Sequence, residues 1–186
     1  PMFLSFIVMT GRAVLYPVYK GTFERRNPAL IPIHGGADSR AYTEFLIQVV
    51  KDFSRCMDYM ETRADIDSSR IAYYGMSWGG GLGAIIPAVE SRIKASVLVG
   101  GGMAVGRARP EASNVNYVTR VKLPTLMLNG KYDAGLEIRI KPMFDLLGTP
   151  AAQKKLILFD TDHIPPRAEY IKETLAWLDK YLGPVK

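Results

Sequence analysis

Residues 75–79 constrain this chain more than any other segment, because they place a serine between two glycines directly after a strand-like run. Residues 70–74 are apolar and β-prone, and the small residues at 80–84 can open a helix. Gly-x-Ser-x-Gly in this setting is typical of a tight strand-to-helix turn that exposes the serine hydroxyl. We predict that a side chain in place of Gly75 or Gly79 would collide with neighbouring backbone. Ser77 is therefore the candidate nucleophile.

A serine nucleophile needs a base within hydrogen-bond reach, and the chain has two histidines, His34 and His163. Where such a turn carries a triad, the order along the chain is serine, acid, histidine, which leaves His163 as the base. His163 follows a predicted strand over residues 155–160. The alternative is that it is an ordinary loop histidine.

The acid of the triad should follow a strand that lies between the serine and the histidine. Residues 124–129 are predicted to form that strand, and Asp133 follows it closely. Catalytic groups gather at the carboxyl ends of strands in open α/β sheets, so Asp133 is the candidate acid. Asp160 and Asp162 compete for the role, and Asp133 has the alternative of being a simple turn residue.

An ester-cleaving site also needs donors for the developing oxyanion. The backbone N–H of Trp78 is the first candidate, because it directly follows the serine. The second donor is predicted from Gly35 or Gly36, which follow a short apolar run at residues 29–33 in a His-Gly-Gly sequence. Pro32 counts against a central strand there, and the alternative is a turn before a helix.

The space for a substrate is limited by the short connection between the strand that ends at Gly100 and the one that starts at Pro124. About 20 residues leave little room for a large lid, which favours small or short-acyl substrates. Met103 and Tyr132, together with the indole of Trp78, are candidates to line the pocket. The alternative is that these side chains belong to the core.

Composition limits the other classes of function. Cys56 is the only cysteine, so an intrachain disulfide is excluded. This favours the cytoplasm over an oxidising compartment, but the sequence contains no targeting signal that identifies the location. Two distant histidines and one cysteine assemble no metal site. The net charge of +6 is scattered, which argues against a nucleic-acid partner. Residues 3–9 are apolar but too short to span a membrane.

Apolar strands alternate with helices along the chain. Besides the strands at 155–160 and 124–129, the pattern predicts strands and helices over the following residues: strands 13–20, 70–76 and 95–100, and helices 41–62, 79–90, 136–147 and one after Pro166 that stops at Gly183. Unbroken apolar strands between helices indicate an α/β fold with a mostly parallel central sheet covered by helices on both faces. A chain of 186 residues suggests one domain, residues 1–186.

These motifs resemble the α/β-hydrolase superfamily, most closely its dienelactone hydrolase and prolyl oligopeptidase branch. The motifs concerned are residues 74–80, 128–133 and 160–167. Three further stretches are similar to hydrolase domains at the C-terminus of bacterial multidomain proteins, some of them fused to serine/threonine kinases: residues 14–26, 142–150 and 171–183. The resemblance implies hydrolysis of esters through an acyl-enzyme on Ser77, with Asp133 and His163 in support and no cofactor.

The chain departs from that superfamily at its beginning. There, strand 3 lies between strands 4 and 5, and the loop that follows strand 3 supplies an oxyanion donor. Residues 13–20 align with strand 4, and only residues 1–10 precede them. We therefore expect an N-terminally truncated or minimal α/β-hydrolase fold. The missing strands would belong to further domains or segments of a longer parent protein, or residues 29–36 would replace strand 3.

The function expected from these features is that of a carboxylesterase-type serine hydrolase acting on a small-molecule ester. A peptidase of the same superfamily is the near alternative, disfavoured because this chain has no substrate-gating domain. The alternative from another class is a catalytically weak ligand-binding or interaction domain on a hydrolase fold. The complete set of Ser77, Asp133 and His163 argues against it, and the unplaced strand 3 argues for it.

Overall fold

The computed structural model of this chain describes residues 4–27, 37–104, 106 and 108–185. Within these ranges, four parallel strands form one sheet in the order β1-β2-β3-β4. The strands are β1 Ile71–Met76, β2 Ile93–Val99, β3 Thr125–Gly130 and β4 Lys154–Phe159. The ends of these strands lie within two residues of the strands predicted at 70–76, 95–100, 124–129 and 155–160. The predicted parallel α/β architecture is therefore confirmed.

Helices connect the strands and flank them. In chain order they are α1 Ser5–Val8, α2 Arg40–Glu61, α3 Trp78–Leu82, α4 Ile86–Val89, α5 Val115–Val118, α6 Lys141–Leu146 and α7 Arg167–Leu182. A π-helical turn, Leu136–Ile140, leads into α6. Short 3-10 turns lie at Phe23–Arg25, Pro110–Ala112 and Ala151–Gln153.

The sheet is covered on both faces, as its apolar strands require. One apolar cluster lies between the sheet and α2, α3, α4 and α6, and Leu98 and Met127 contribute to it from the strands. The second cluster lies under α1 and α7, where Val97 and Val99 meet Trp177. Burial of each large aliphatic side chain contributes about 1.5–3 kcal/mol, so the two clusters dominate the stability of the fold.

Helix α2 begins where its sequence provides a cap. The hydroxyl of Ser39 accepts a hydrogen bond from the Tyr42 N–H at 3.1 Å. The apolar face of α2 packs towards the sheet, with Val49 and Met57 fully buried. The other long helix, α7, ends at Gly183, whose φ of +80° suits a residue without a side chain. Both helices were predicted from periodicity and end signals.

The prediction of a strand over residues 13–20 is wrong. This segment forms no regular secondary structure and belongs to no strand of the described sheet. Pro17 has no N–H to give to a ladder. Side chains satisfy other backbone groups here: Asp52 accepts from the Lys20 N–H at 3.0 Å, and Arg25 donates to the Val18 carbonyl at 2.8 Å.

Two predicted helices are more broken than their patterns indicated. The segment 79–90 forms two short helices, α3 and α4, because its glycines and Pro87 are poor helix formers. The segment 136–147 begins as the π-helical turn before α6. Pro142 cannot donate the usual bond to the carbonyl four residues earlier, which explains the altered hydrogen bonding beside it.

Within the described ranges, β1 has a neighbouring strand on one side only, which is β2. The predicted replacement strand at residues 29–36 lies outside the described residues. No helix of the described part has the length and apolarity needed to cross a membrane.

Candidate active site

Ser77 lies on the turn between β1 and α3, at the carboxyl end of the sheet. Its φ and ψ are +53° and −110°, a conformation that L residues rarely adopt and that costs about 1–3 kcal/mol. The Ser77 N–H donates to the Val99 carbonyl of the neighbouring strand at 2.7 Å. The side chain is exposed. Strained backbone and an exposed hydroxyl are the features that the Gly-x-Ser-x-Gly pattern predicted.

The glycine requirements of this turn differ from the prediction. A Cβ on Gly75 would lie 2.3 Å from the Gly79 carbonyl oxygen, so Gly75 is required as expected. A Cβ on Gly79 would meet its nearest neighbour, the Tyr73 hydroxyl, at 3.9 Å, so the predicted collision there is wrong. Gly80 is the tight position instead, because its Cβ would lie 2.6 Å from Gly101 Cα. The turn is further fixed by the buried Tyr73 hydroxyl, which donates to the Gly79 carbonyl at 2.6 Å.

The structure brings Ser77, His163 and Asp133 into one hydrogen-bonded chain. Ser77 Oγ and His163 Nε2 are 2.9 Å apart, and His163 Nδ1 and Asp133 Oδ2 are 2.6 Å apart. Each residue follows the carboxyl end of its strand, respectively β1, β4 and β3. A carboxylate can only accept, so Nδ1 carries the proton and Nε2 is the acceptor for the serine hydroxyl.

The Asp133 carboxylate is held by its surroundings in the ionised form. Burial raises the pKa of this carboxyl, but the hydrogen bond with His163, the one from the Gly135 N–H and the charges of His163 and Arg139 outweigh burial, so the pKa lies below its usual value. The Gly135 N–H donates to Oδ1 at 2.7 Å, while Oδ2 serves His163. The side chain is 12% exposed. Asp133 therefore has one oxygen for orientation and one for the imidazole.

The competing carboxylate Asp160 is engaged elsewhere. It accepts from Lys131 Nζ at 3.0 Å and from the Tyr132 hydroxyl at 3.3 Å. The hydrogen bond from Lys131 and the charge of that residue lower the pKa of Asp160. Asp162 directly precedes His163 and is exposed. Of the three candidates, Asp133 is the one that the structure places against the imidazole.

The imidazole of His163 rests on a loop that follows β2, formed by Gly100, Gly101 and Gly102 and called here the glycine loop. A Cβ on Gly100 would lie 3.3 Å from His163 Cε1 and 3.2 Å from the His163 carbonyl oxygen. Gly100 also has φ +61°. A side chain there would be strained and would push the imidazole out of place. The side chain of His163 is 49% exposed, so solvent reaches its outer edge.

The predicted oxyanion donors have different outcomes. The Trp78 N–H belongs to the first residue of α3, and first-turn N–H groups have no acceptor within the helix. Its role as an oxyanion donor stays a prediction. The Trp78 indole is 44% exposed and packs on Phe45 and Tyr19, with ring centroids 6.2 and 5.9 Å away. Gly35 and Gly36 lie outside the described residues.

Met103 and Tyr132, the two other residues predicted to line a pocket, differ in their exposure to solvent. Met103 is 5% exposed and packs in the apolar cluster on the α2 side of the sheet. Tyr132 is 62% exposed, and its hydroxyl bonds to Asp160 as described above. A role for either residue in substrate binding stays a prediction.

Several residues that build the site were missed from the sequence. Asn129, on β3, is fully buried and donates from Nδ2 to the Gly101 carbonyl at 2.9 Å. Its signal was a polar side chain near the end of an apolar strand. Tyr73 and Gly135 gave no comparable signal, because their contacts with the turn and with Asp133 depend on tertiary structure. In the described part of the chain, no group of three or more His, Cys, Asp or Glu could hold a metal ion.

The fold has counterparts among solved structures. Acetyl xylan esterase from Paenibacillus sp. R4 matches with a TM-score of 0.62 and 23% identity, over 74% of this chain and 54% of its own. Dienelactone hydrolase from Anabaena variabilis matches with a TM-score of 0.61 and 22% identity, over 74% and 61%. A cold-adapted esterase from an Arctic intertidal metagenomic library matches with a TM-score of 0.57 and 26% identity, over 77% and 60%.

These structures share the α/β-hydrolase fold, and this chain has that fold, as its motifs indicated. The chain spans about half to three fifths of the length of the three structures described. A comparison with protein-family models gave no match, and neither did a comparison with curated protein sequences.

Proposed function

We propose that this chain is a serine hydrolase that cleaves small carboxylic esters through an acyl-enzyme. The observation that carries the proposal is the continuous chain of hydrogen bonds from Ser77 Oγ through His163 to Asp133. A buried structural serine would not need a strained turn or an exposed hydroxyl. A hydroxyl is a weak nucleophile unless a base accepts its proton, and His163 is placed to do so.

The first half-reaction transfers the acyl group to the protein. Ser77 Oγ attacks the ester carbonyl carbon while His163 Nε2 takes the hydroxyl proton, and the carbonyl oxygen becomes negative. Collapse of this tetrahedral intermediate breaks the bond to the alkoxy oxygen. Nε2 returns the proton to that oxygen, so a neutral alcohol leaves and an acyl ester remains on Ser77.

The second half-reaction is hydrolysis of this ester. Water gives a proton to His163 Nε2 and attacks the acyl carbon. The new intermediate collapses to a carboxylic acid, and Nε2 returns the proton to Ser77 Oγ. Asp133 stays ionised throughout and stabilises the imidazolium that forms in each half-reaction. No cofactor takes part in these steps.

The oxyanion is assigned first to the Trp78 N–H, which the helix leaves without an acceptor. Loss of one such donor costs other enzymes roughly 100- to 1000-fold in kcat. For the second donor, the proposal from the sequence is retained, namely the N–H of Gly35 or Gly36.

The substrate class is proposed from the openness of the site and from the structural counterparts. The side chains of Ser77 and His163 reach solvent. Ser77, Asp133 and His163 line neither the cavity of about 390 Å³ beside α2 nor the one of about 270 Å³ beside α4. The exposed indole of Trp78 offers a rigid apolar face next to the nucleophile. Two of the three counterparts described carry the name esterase. Small esters with short acyl chains fit this surface.

Turnover of p-nitrophenyl esters from acetate to laurate tests the proposal, with Ser77→Ala as the control. We expect hydrolysis that is fastest for short acyl chains and disappears in the variant. A folded protein that turns over none of the esters would contradict the proposal and favour a ligand-binding domain. Cleavage of peptide p-nitroanilides without ester hydrolysis would favour a peptidase.

A further inference from the structure

Asn129 is a buried polar side chain that the proposed mechanism does not use. It lies next to last on β3, its exposed fraction is 0%, and most of the strand around it is apolar. Its amide donates from Nδ2 to the Gly101 carbonyl at 2.9 Å. The other polar atom of the amide, Oδ1, is buried and has no hydrogen-bond partner among the described residues. Burial of an unpaired acceptor is costly, so an apolar residue of similar size would suit the core better.

The hydrogen bond from the Asn129 side chain goes to the glycine loop, which packs against the elements that carry the triad. In the glycine loop, Gly101 packs on Gly80 at the start of α3, directly behind the nucleophile. Gly100 forms the surface against which His163 rests. The glycine loop is therefore in contact with the helix that follows the nucleophile and with the base.

The acid is reached at the other end of the same loop. Met103, which follows the glycine loop, donates its N–H to the Arg139 carbonyl at 3.1 Å, and its own carbonyl accepts from Arg139 Nε at 3.0 Å. Arg139 lies in the π-helical turn that begins shortly after Asp133, and its side chain packs over Gly135. Gly135 in turn donates to Asp133.

We propose that Asn129 is a positioning residue for catalysis. Its hydrogen bond holds the glycine loop in the position at which Ser77, His163 and Asp133 are aligned. This inference rests on the proposed hydrolase function. Asn129 belongs to β3, the strand that Asp133 follows, so its bond to Gly101 links that strand to the loop that packs on Gly80 and on His163.

A displaced glycine loop would misalign the reacting groups without altering substrate binding. Misplacement of about 1 Å costs enzymes on the order of 100-fold in rate. We therefore expect loss of the Asn129 donor to lower kcat by on the order of 10- to 100-fold, while KM stays within about twofold of wild type.

The test compares Asn129→Leu, which has a similar size but no donor, with Asn129→Ser, which is too short to reach Gly101. Thr125→Val is the matched control. Thr125 is also fully buried on β3, and its hydroxyl donates to a backbone carbonyl, that of Leu123, at 3.1 Å. The control thus loses the same kind of bond at the end of the strand remote from the site.

The measurements are kcat and KM for p-nitrophenyl acetate, per folded molecule, at a temperature far below each thermal midpoint. Lower kcat at unchanged KM in both Asn129 variants, with normal kcat in Thr125→Val, supports the inference. Unchanged kcat in the Asn129 variants, a change in KM alone, or an equal loss in Thr125→Val would overturn it. An inactive wild type would overturn the proposed function itself, whereas an active wild type with equally active Asn129 variants would overturn this inference alone.

Discussion

Gly80 and Gly101 lie against each other so closely that neither has room for a side chain. A Cβ on Gly80 would lie 2.6 Å from Gly101 Cα, and one on Gly101 would lie 2.9 Å from the Gly80 carbonyl carbon. Gly80 belongs to the helix that follows Ser77, and Gly101 to the glycine loop after β2. Their contact therefore sets the spacing between the nucleophile turn and the loop on which His163 rests.

We expect Gly80→Ala to lower the free energy of unfolding by about 1–3 kcal/mol, because overpacking would displace backbone rather than a flexible side chain. Gly79→Ala is the matched control, since a Cβ there has its nearest neighbour at 3.9 Å. Alanine is the better helix former by about 1 kcal/mol, so this control should be neutral or slightly stabilising. Urea unfolding checks both variants. Greater damage from Gly79→Ala than from Gly80→Ala would contradict the structure.

This pair also illustrates how far the sequence could be interpreted. The Gly-x-Ser-x-Gly pattern correctly indicated the turn, and the order of motifs led to Asp133 and His163, which the structure places in contact with each other and with Ser77. It assigned a steric role to Gly79 that belongs to Gly80. Gly80 is the tightly packed glycine because it meets Gly101, which belongs to another loop. The local sequence pattern around Ser77 contains no information on that contact.

The remaining differences also have tertiary causes. Residues 13–20 have an apolar, strand-like composition, but Asp52 accepts from the Lys20 N–H, Arg25 donates to the Val18 carbonyl, and the segment joins no strand of the described sheet. Asn129 was missed although it is a polar residue in a largely apolar strand, because its partner Gly101 could be identified only from the packing of β3 against the glycine loop. Periodicity predicts elements well and their cross-contacts poorly.

Ser77→Gly should stabilise the protein while it removes the nucleophile. The strained φ of +53° at Ser77 costs nothing comparable in glycine, so we expect a gain of about 1 kcal/mol in the free energy of unfolding. Ser77→Ala keeps the Cβ and with it the strain, so its stability should stay near that of wild type. Chemical denaturation of the three proteins checks this. Equal stability of the glycine and alanine variants would argue against strain at the turn.

Replacement of Asp133 should change how stability depends on pH. The folded-state pKa of this carboxyl is lowered below its usual value, so its stabilising contribution is present above the unfolded-state pKa and is lost as pH falls through the folded-state pKa. The stability difference between wild type and Asp133→Asn should therefore shrink between about pH 5 and 2, where carboxyl groups titrate. Unfolding curves across this range measure it. A difference that grows towards acid pH would contradict the lowered pKa.

The two carboxylates near the histidine should differ sharply in their effect on activity. Asp133→Asn should lower kcat by about 1000- to 10,000-fold, because an amide at Oδ2 favours the wrong tautomer of His163. Asp160→Asn, which removes the charge from a solvent-exposed contact with Lys131 and Tyr132, should leave kcat within about twofold of wild type. Steady-state hydrolysis of p-nitrophenyl acetate measures both. Similar losses in the two variants would remove the basis for choosing Asp133.

The central claim, that Ser77 is a nucleophile activated by His163, is tested most directly by reaction with a fluorophosphonate probe followed by mass spectrometry. We predict one phosphonyl group per molecule, located on Ser77, no labelling of Ser77→Ala, and labelling slowed by orders of magnitude in His163→Ala. Wild-type protein that is folded but stays unlabelled, or that labels at the same rate without His163, would contradict the claim.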